Sequence, residues 1–142
     1  MLPLVRALCD LHERADPQRF RVVPDVLERY ARWLPERAAD PTSVLLVAVD
    51  EGRVVGFTVG TTEDEVPIFW IPRCGFIHDL FVLEGHRGRG IARGLVAAAC
   101  DRFRGMGLSQ VRLHTGSFNE GARRLFEGEG FRACVVEMLR AL

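Results

Sequence analysis

Two arginines and two glycines, in the order Arg87-Gly88-Arg89-Gly90, follow an apolar segment and precede an alanine-rich run. Glycine allows the backbone to turn tightly and to approach a ligand closely, and the unpaired N–H groups of a helix's first turn point out of its end. Arginine adds positive charge and paired hydrogen-bond donors. A strand, a glycine-rich turn and a helix start in this order predict a site that binds phosphate or pyrophosphate.

The elements that position this turn follow from the spacing of apolar residues. Gly75–Leu83 is a nearly continuous apolar segment with the length of a buried strand. After Gly90, apolar side chains recur along one stripe of a helix that reaches about Arg104. Gln110–Thr115 alternates apolar and polar residues, which is typical of a half-buried strand.

The remaining elements complete a mixed sheet. Their order predicts an α/β fold, of the α+β mixed-sheet type, with helices on both faces. The segment Thr62–Arg73 begins acidic and continues with prolines and aromatic residues at Val66–Pro72, which favours a loop with exposed aromatic residues between strands. Such a loop could line a substrate pocket or pack down on the domain. The further predicted elements are helices at Met1–Ala15, Asp25–Arg37 and from Ser117 or Asn119 to Glu127, a hairpin of Val44–Val49 with Arg53–Thr61, and a final strand at Phe131–Leu139.

Length and composition restrict the classes of function. The 142 residues are expected to form one domain, residues 1–142. Nineteen basic residues balance nineteen acidic ones, so no basic field predicts a nucleic-acid partner. No apolar run approaches the roughly 18 residues that a membrane span needs. The four cysteines match no zinc or disulfide spacing, so we expect no metal site and a reducing, cytoplasmic location.

Two motifs identify a resemblance. No Lys-Ser or Lys-Thr follows the turn, as a Walker loop requires, and no dinucleotide fingerprint is present. Arg87-x-x-Gly90-x-Ala92 after a strand resembles the pyrophosphate-binding motif of the GNAT superfamily of acetyl-CoA-dependent N-acetyltransferases. The segment from Asn119 through Ala122, Leu125 and Phe126 to Gly130-Phe131 is similar to the superfamily's second motif.

The resemblance implies where acetyl-CoA binds. It would lie in an opening between two parallel strands that splay apart, here Gly75–Leu83 and Gln110–Thr115. The backbone of Leu80, Phe81 and Val82 would contact the pantetheine arm and the thioester. The resemblance further assigns the pyrophosphate to Arg87, Gly88, Arg89, Gly90, Ile91, Ala92 and Arg93, and the second-motif contacts to Asn119, Ala122 and Phe126.

Two titratable residues, His78 and Asp79, lie on the strand that leads to the thioester. In the polyamine and small-amine acetyltransferases that this segment resembles, His78 falls at the candidate base and Asp79 at a position that holds a cationic amine. An unperturbed histidine titrates at about pH 6.5, which suits the base role. Neighbouring strand residues point to opposite faces, so we expect these two side chains to diverge. The alternative is that one of them faces the core or solvent and has no chemical role.

The chain departs from the family at Phe126, where a tyrosine usually protonates the departing CoA thiolate. Tyr30, the only tyrosine, lies in another segment, and the sequence does not choose among Ser117, His114, Cys134 and water as substitutes. The CoA thiolate, whose thiol has a pKa of about 8.5, can leave without a proton from a general acid, so we expect a slower reaction rather than none. The alternatives are a non-catalytic or weakly active acyl-CoA-binding protein and a protein or peptide N-acetyltransferase.

Members of the family usually begin with a strand before the first helix, and no such strand is predicted here. The sheet edge that this strand would cover is open to a partner subunit. We therefore expect a homodimer as the assembly, the alternative being that the edge strand is dispensable. The resemblance implies a small-molecule amine as substrate.

Overall fold

A computed structural model describes all 142 residues and contains four α-helices and four strands. The strands are β1 (Ser43–Asp50), β2 (Arg53–Asp64), β3 (Arg73–Val82) and β4 (Val111–Leu113). The helices are α1 (Leu2–Ala15), α2 (Val26–Ala39), α3 (Ile91–Gly105) and α4 (Glu120–Gly128), with a short 3-10 turn at Glu84–His86. None of the four helices is both long and apolar enough to cross a membrane.

The strands form one mixed sheet in the order β1-β2-β3-β4. β1 and β2 are an antiparallel hairpin whose turn places Glu51 and Gly52 at positive φ, and β2 pairs with β3 antiparallel as well. β3 and β4 are parallel, because α3 carries the chain across the sheet between them. The predicted fold class is confirmed.

Helices cover both faces of the sheet, and each face has its own apolar cluster. On one face α1 and α2 pack on Phe57, Val59 and Phe81. On the other, Phe103 and Ala99 of α3 pack against residues of β1 and β3, including Ile77. Odd positions of β2 thus face α1 and α2, whereas a Cβ at the even position Gly60 would meet Phe103 of α3, as the alternation of a strand requires.

The predicted final strand at Phe131–Leu139 is wrong, because the chain after Gly130 has no regular secondary structure. Val135, Val136 and Met138 are each more than three-quarters exposed. β-forming residues make a strand only when an edge is available to pair with them, and propensity alone does not supply that edge.

Three strand boundaries also differ from expectation. β4 ends at Leu113 and not at Thr115, so its own edge is short. β2 continues to Asp64 and β3 begins at Arg73, so the proline-containing loop is confined to residues 65–72. Phe69 and Trp70 of this loop are 54% and 96% exposed, as the sequence predicted for the loop's aromatic residues.

Replacement of Gly75 with alanine tests the contact between β3 and α3. A Cβ at Gly75 would lie 2.5 Å from the ring of Phe103, which is fully buried. We expect Gly75→Ala to lower the free energy of unfolding by about 1–3 kcal/mol in urea denaturation. Gly85→Ala is the matched control, because no atom lies within 4 Å of its new Cβ. Equal stability of the Gly75→Ala variant and the wild type would contradict this packing.

Candidate active site

β3 and β4 separate soon after they begin to pair. They are hydrogen-bonded over Gly75–Ile77 and Val111–Leu113, after which β4 ends and β3 continues to Val82. The edge of β3 beyond Ile77 therefore faces a gap that contains no strand. Backbone groups on such an edge are free to bind a ligand, because a sheet partner has not used them.

The backbone N–H and C=O groups of Leu80 and Val82 point into this gap. Leu83 N–H donates to the carbonyl of Val55 on β2 at 2.9 Å. Residues of an antiparallel strand point alternately toward and away from the partner, so Leu80 and Val82 direct their backbone groups away from β2. The Val82 carbonyl accepts a hydrogen bond from Arg87 Nε at 3.0 Å, which accords with this direction.

Phe81, the third residue predicted here, has a different position. By the same alternation its backbone points toward β2, and its side chain is 7% exposed in the cluster under α1 and α2. The guanidinium of Arg87 lies 5.7 Å from the centre of its ring. Phe81 supports the end of β3 from within the core.

A β-bulge brings His78 and Asp79 to the same face of the sheet. Ile77 and Asp79 each have a partner on β2, whereas His78 is the extra residue between them. Two consecutive side chains at a bulge can share a face. Asp79 contacts Tyr30, and the His78 ring lies 5.9 Å from that of Trp33, both on α2. The expectation that the two side chains diverge is wrong.

Asp79 lies in a largely desolvated position under α1 and α2. Its Oδ2 accepts a hydrogen bond from the hydroxyl of Tyr30 at 2.8 Å, and its carbonyl accepts one from Thr58 Oγ1 at 2.9 Å. Burial raises the pKa of Asp79, while the hydrogen bond from Tyr30 and the nearby imidazoles of His78 and His12 oppose that shift. This carboxyl group can bind a cation that enters the space between β3 and helices α1 and α2.

His78 is held by side chains near the C-terminal end of β2. Its Nε2 lies 2.7 Å from Thr61 Oγ1, and the Thr61 hydroxyl in turn donates to Glu63. In this network Nε2 carries the proton, which leaves Nδ1 as the acceptor. Burial lowers the pKa of His78, and the carboxylates of Glu63 and Asp79 oppose the shift. The imidazole is therefore neutral at pH 7 and able to take a proton.

The glycine-rich turn has the geometry of an anion cradle. Gly88 and Gly90 have φ of 76° and 80°, which side-chain-bearing residues rarely adopt, and a Cβ at either would meet no atom within 4 Å. No side chain caps α3, and its first backbone bond is from Gly94 N–H to the Gly90 carbonyl. The N–H groups of residues 91–93 therefore point out of the helix end without a side-chain partner.

Arg89 and Arg93, on either side of Gly90, are exposed and paired with carboxylates. Arg89 lies 3.5 Å from Asp50 at the tip of the hairpin, and Arg93 Nε lies 2.8 Å from Glu129 after α4. Exposed ion pairs of this kind contribute little to stability. Both guanidinium groups can exchange these partners for a phosphate at small cost.

The second motif places Asn119 at the start of α4 and Phe126 in the core. Asn119 Oδ1 accepts a hydrogen bond from Ala122 N–H at 3.1 Å, so Asn119 and not Ser117 is the cap. Phe126 is 8% exposed, and its ring contacts that of Phe131 edge-on at 5.8 Å. The usual tyrosine position therefore supplies an apolar contact and no proton.

A recess of about 290 Å³ opens between the end of α1 and the start of α4. Its walls are Leu11, Arg14, Ala15, Phe118 and Asn119. Phe118 also contacts the ring of His12, whose partner in stacking is Phe20. The recess therefore borders Asn119, the residue at which a pantetheine contact is predicted.

Two of the three carboxylates in the acidic run Glu63–Glu65 are paired with arginines. Asp64 pairs with Arg73 at 2.8 Å, Glu65 pairs with Arg112, and Glu63 lies 3.5 Å from His78. No group of three or more His, Cys, Asp or Glu side chains is placed to hold a metal ion.

Sequence reasoning missed the contact of Tyr30 with Asp79. Forty-nine residues separate the two, and no spacing rule links a helix position to a strand position at that distance. The only available signal was that a single tyrosine lies on the apolar face of its helix.

Comparison with known proteins gives a family for this fold and site. The model of the Acetyltransferase (GNAT) family matches residues 5–131. The uncharacterized N-acetyltransferase YycN of Bacillus subtilis is 33% identical over 94 residues, 66% of this chain and 58% of YycN. An uncharacterized N-acetyltransferase of Archaeoglobus fulgidus is 32% identical over 106 residues, 75% of this chain and 69% of that protein. Human N-acetyltransferase 8 is 37% identical over 100 residues, 70% of this chain and 41% of the human protein.

Solved structures share the fold. A mutant of the BH1408 protein of Bacillus halodurans superposes with a TM-score of 0.82 at 22% identity, over 99% of this chain and 90% of that one. Glucosamine-6-phosphate N-acetyltransferase of Arabidopsis thaliana gives 0.67 at 22% identity, over 84% and 82%. At these identities the likeness concerns the fold alone.

The buried carboxyl group of Asp79 predicts a gain of stability on its removal. Folding raises its pKa, so the stability of the wild type falls as pH rises from the ordinary aspartate pKa through the raised folded value. Asp79→Asn keeps an acceptor for Tyr30 and lacks that loss. We expect its melting temperature at pH 7 to exceed that of the wild type by about 3–5 °C, with the difference vanishing near pH 3.

Glu36→Gln, at an exposed position of α2, is the control and should leave the melting temperature and its pH dependence unchanged. Thermal denaturation followed by circular dichroism between pH 3 and 8 measures both variants. A melting temperature of Asp79→Asn at or below that of the wild type at pH 7 would contradict the raised pKa.

Proposed function

The chain belongs to the GNAT acetyltransferase family, and from that premise we propose that it transfers an acetyl group from acetyl-CoA to a primary amine of a small molecule. The transfer is direct, from thioester to amine, without an acetylated protein intermediate. The observation that carries the proposal is the gap beside Leu80 and Val82, which lies between the glycine-rich turn and the Asp79 site. An acetyl-CoA molecule that extends from the glycine-rich turn to this gap would have its thioester next to the side chains of His78 and Asp79.

The residues around the turn fit the pyrophosphate of acetyl-CoA. The positive φ of Gly88 and Gly90 and the free space before them allow a ligand to approach the backbone. The N–H groups that begin α3 supply donors, and Arg89 and Arg93 supply charge. Acetyl-CoA, when bound, supplies an activated acyl group, and a backbone N–H in the gap can stabilise the charge that develops on its carbonyl oxygen.

His78 and Asp79 have separate roles at the acceptor. An amine must lose a proton to act as a nucleophile, and His78 is neutral at pH 7 with Nδ1 as acceptor. Asp79 binds the ammonium form and holds it beside the gap. The departing thiolate, with a pKa of about 8.5, does not require the proton that Phe126 cannot give.

The charges near the site favour an acceptor with one ammonium group over a polyamine. Asp64 and Glu65 are paired with arginines, and Glu63 is half exposed to solvent and already accepts the Thr61 hydroxyl, so none of the three is a desolvated second cation site. Asp79 is then the carboxylate available to an amine under α1. The rings of Phe20 and Phe118, which both pack against His12, can contact the apolar part of such an amine.

Steady-state release of CoA with a panel of amines tests the proposed activity. We expect turnover with primary monoamines such as 2-phenylethylamine, and a lower KM for these than for spermidine. The burial of Phe126 favours one other candidate, a protein that binds acyl-CoA without turnover. Clear binding of acetyl-CoA with no CoA release from any amine or peptide would establish that candidate and contradict ours.

Gly90→Asp tests the cradle. The substitution puts a carboxylate where the pyrophosphate is expected and strains a backbone with φ of 80°. We expect a loss of acetyl-CoA affinity of at least roughly 100-fold, measured by isothermal titration calorimetry. Gly107→Asp is the matched control, since Gly107 has φ of 83° at the opposite end of α3. Equal loss of affinity in both variants would mean that backbone strain, and not the site, is responsible.

A further inference from the structure

Tyr30 contacts the proposed acceptor site from a helix outside both family motifs. Its hydroxyl donates to Asp79 Oδ2 at 2.8 Å, and its ring meets that of Trp33 edge-on at 5.7 Å. Burial, together with the adjacent Asp79 carboxylate, raises the pKa of Tyr30 far above its ordinary value. The phenol therefore keeps its proton throughout the working range of pH and acts on Asp79 only as a donor.

The other groups that face Asp79 do not replace this donor. From α1 these groups are Cys9 and His12, and from β3 the group is His78. Burial lowers the pKa of both imidazoles and raises that of the Cys9 thiol, so at pH 7 none of the three brings a positive charge to Asp79. None of them donates a hydrogen bond to its carboxylate, as the Tyr30 hydroxyl does. Tyr30 is thus the group that holds the carboxylate by a direct hydrogen bond.

We propose that Tyr30 is a positioning residue of the acceptor site, which fixes the Asp79 carboxylate through Oδ2 and leaves Oδ1 to bind the ammonium group of the substrate. This role rests on the proposed N-acetyltransferase function. A carboxylate in a desolvated position binds a cation well only if it is ionised and oriented, and the hydrogen bond from Tyr30 favours both. The amine is then held before its proton is removed.

Tyr30→Phe removes one oxygen atom and leaves the ring, so it isolates the hydrogen bond. Without the donor the pKa of Asp79 rises further, and the carboxylate protonates at a higher pH. We expect KM for 2-phenylethylamine to rise about tenfold at pH 7 with kcat reduced less than threefold. The pH below which KM begins to climb should move upward by about one unit.

Thr58→Val is the matched control, because Thr58 donates to the backbone carbonyl of the same Asp79 and not to its carboxylate. Its effect on KM should not depend on pH, even if the variant is less stable. If Tyr30 had only a structural role, Tyr30→Phe would also change KM by the same factor at every pH. A pH-dependent rise of KM in Tyr30→Phe alone supports the positioning role.

A carboxyl ¹³C NMR titration of Asp79 in the wild type and in Tyr30→Phe gives a readout that does not need turnover. We expect Asp79 to titrate about one unit higher in the variant. An unchanged Asp79 titration, or an unchanged KM profile in a variant that still acetylates amines, would overturn the role of Tyr30 alone. Absence of turnover by the wild type would overturn the proposed function, and the acceptor role of Tyr30 with it.

Discussion

The site depends on one constraint: β3 keeps its partner β2 along its whole length but loses β4 after Ile77. A strand paired on one side only is rigid and still has free backbone groups on the other side. β2 and the helices on both faces hold β3 in place, and the missing partner leaves Leu80 and Val82 available. A strand edge inside a folded sheet can bind a ligand only if one neighbouring strand holds it, as β2 does, and the other neighbour ends early, as β4 does.

The bulge at His78 determines how that edge is used. Without the extra residue, the groups that point into the gap would be those of residues 79 and 81, and His78 and Asp79 would face opposite helices. With it, the gap receives Leu80 and Val82, and both titratable side chains face α1 and α2. One inserted residue thus aligns the proposed acetyl-CoA site along the edge of β3 with the proposed amine site at Asp79.

Asp79 combines a loss of stability with the amine-binding role that we propose for it. A carboxyl group whose pKa rises on folding destabilises the native state at neutral pH. Tyr30 and Thr58 provide hydrogen bonds to the same residue, which limits that cost and fixes its position. Functional sites commonly retain such local losses where an isosteric neutral residue would be more stable.

Much of the fold could be predicted from sequence, because helices, the β1–β2 hairpin and the glycine-rich turn have local signals. The periodicity of α3 and the glycines before it are contained within a few residues of one another. The bulge and the hydrogen bond of Tyr30 with Asp79 depend on pairing between distant segments, which no local pattern records. The failed prediction at Phe131–Leu139 has the same origin, since strand propensity does not specify a partner edge.

Amide hydrogen exchange, measured residue by residue by NMR with and without acetyl-CoA, tests the central claim most directly. In the free protein the N–H groups of Leu80 and Val82 should exchange rapidly, while that of Leu83, bonded to Val55, should be protected. Acetyl-CoA should slow exchange at Leu80 and Val82 at least roughly tenfold and leave Leu83 unchanged. Protection of Leu80 and Val82 in the free protein, or no response to saturating acetyl-CoA, would contradict the claim that the edge of β3 beyond Ile77 is the donor site.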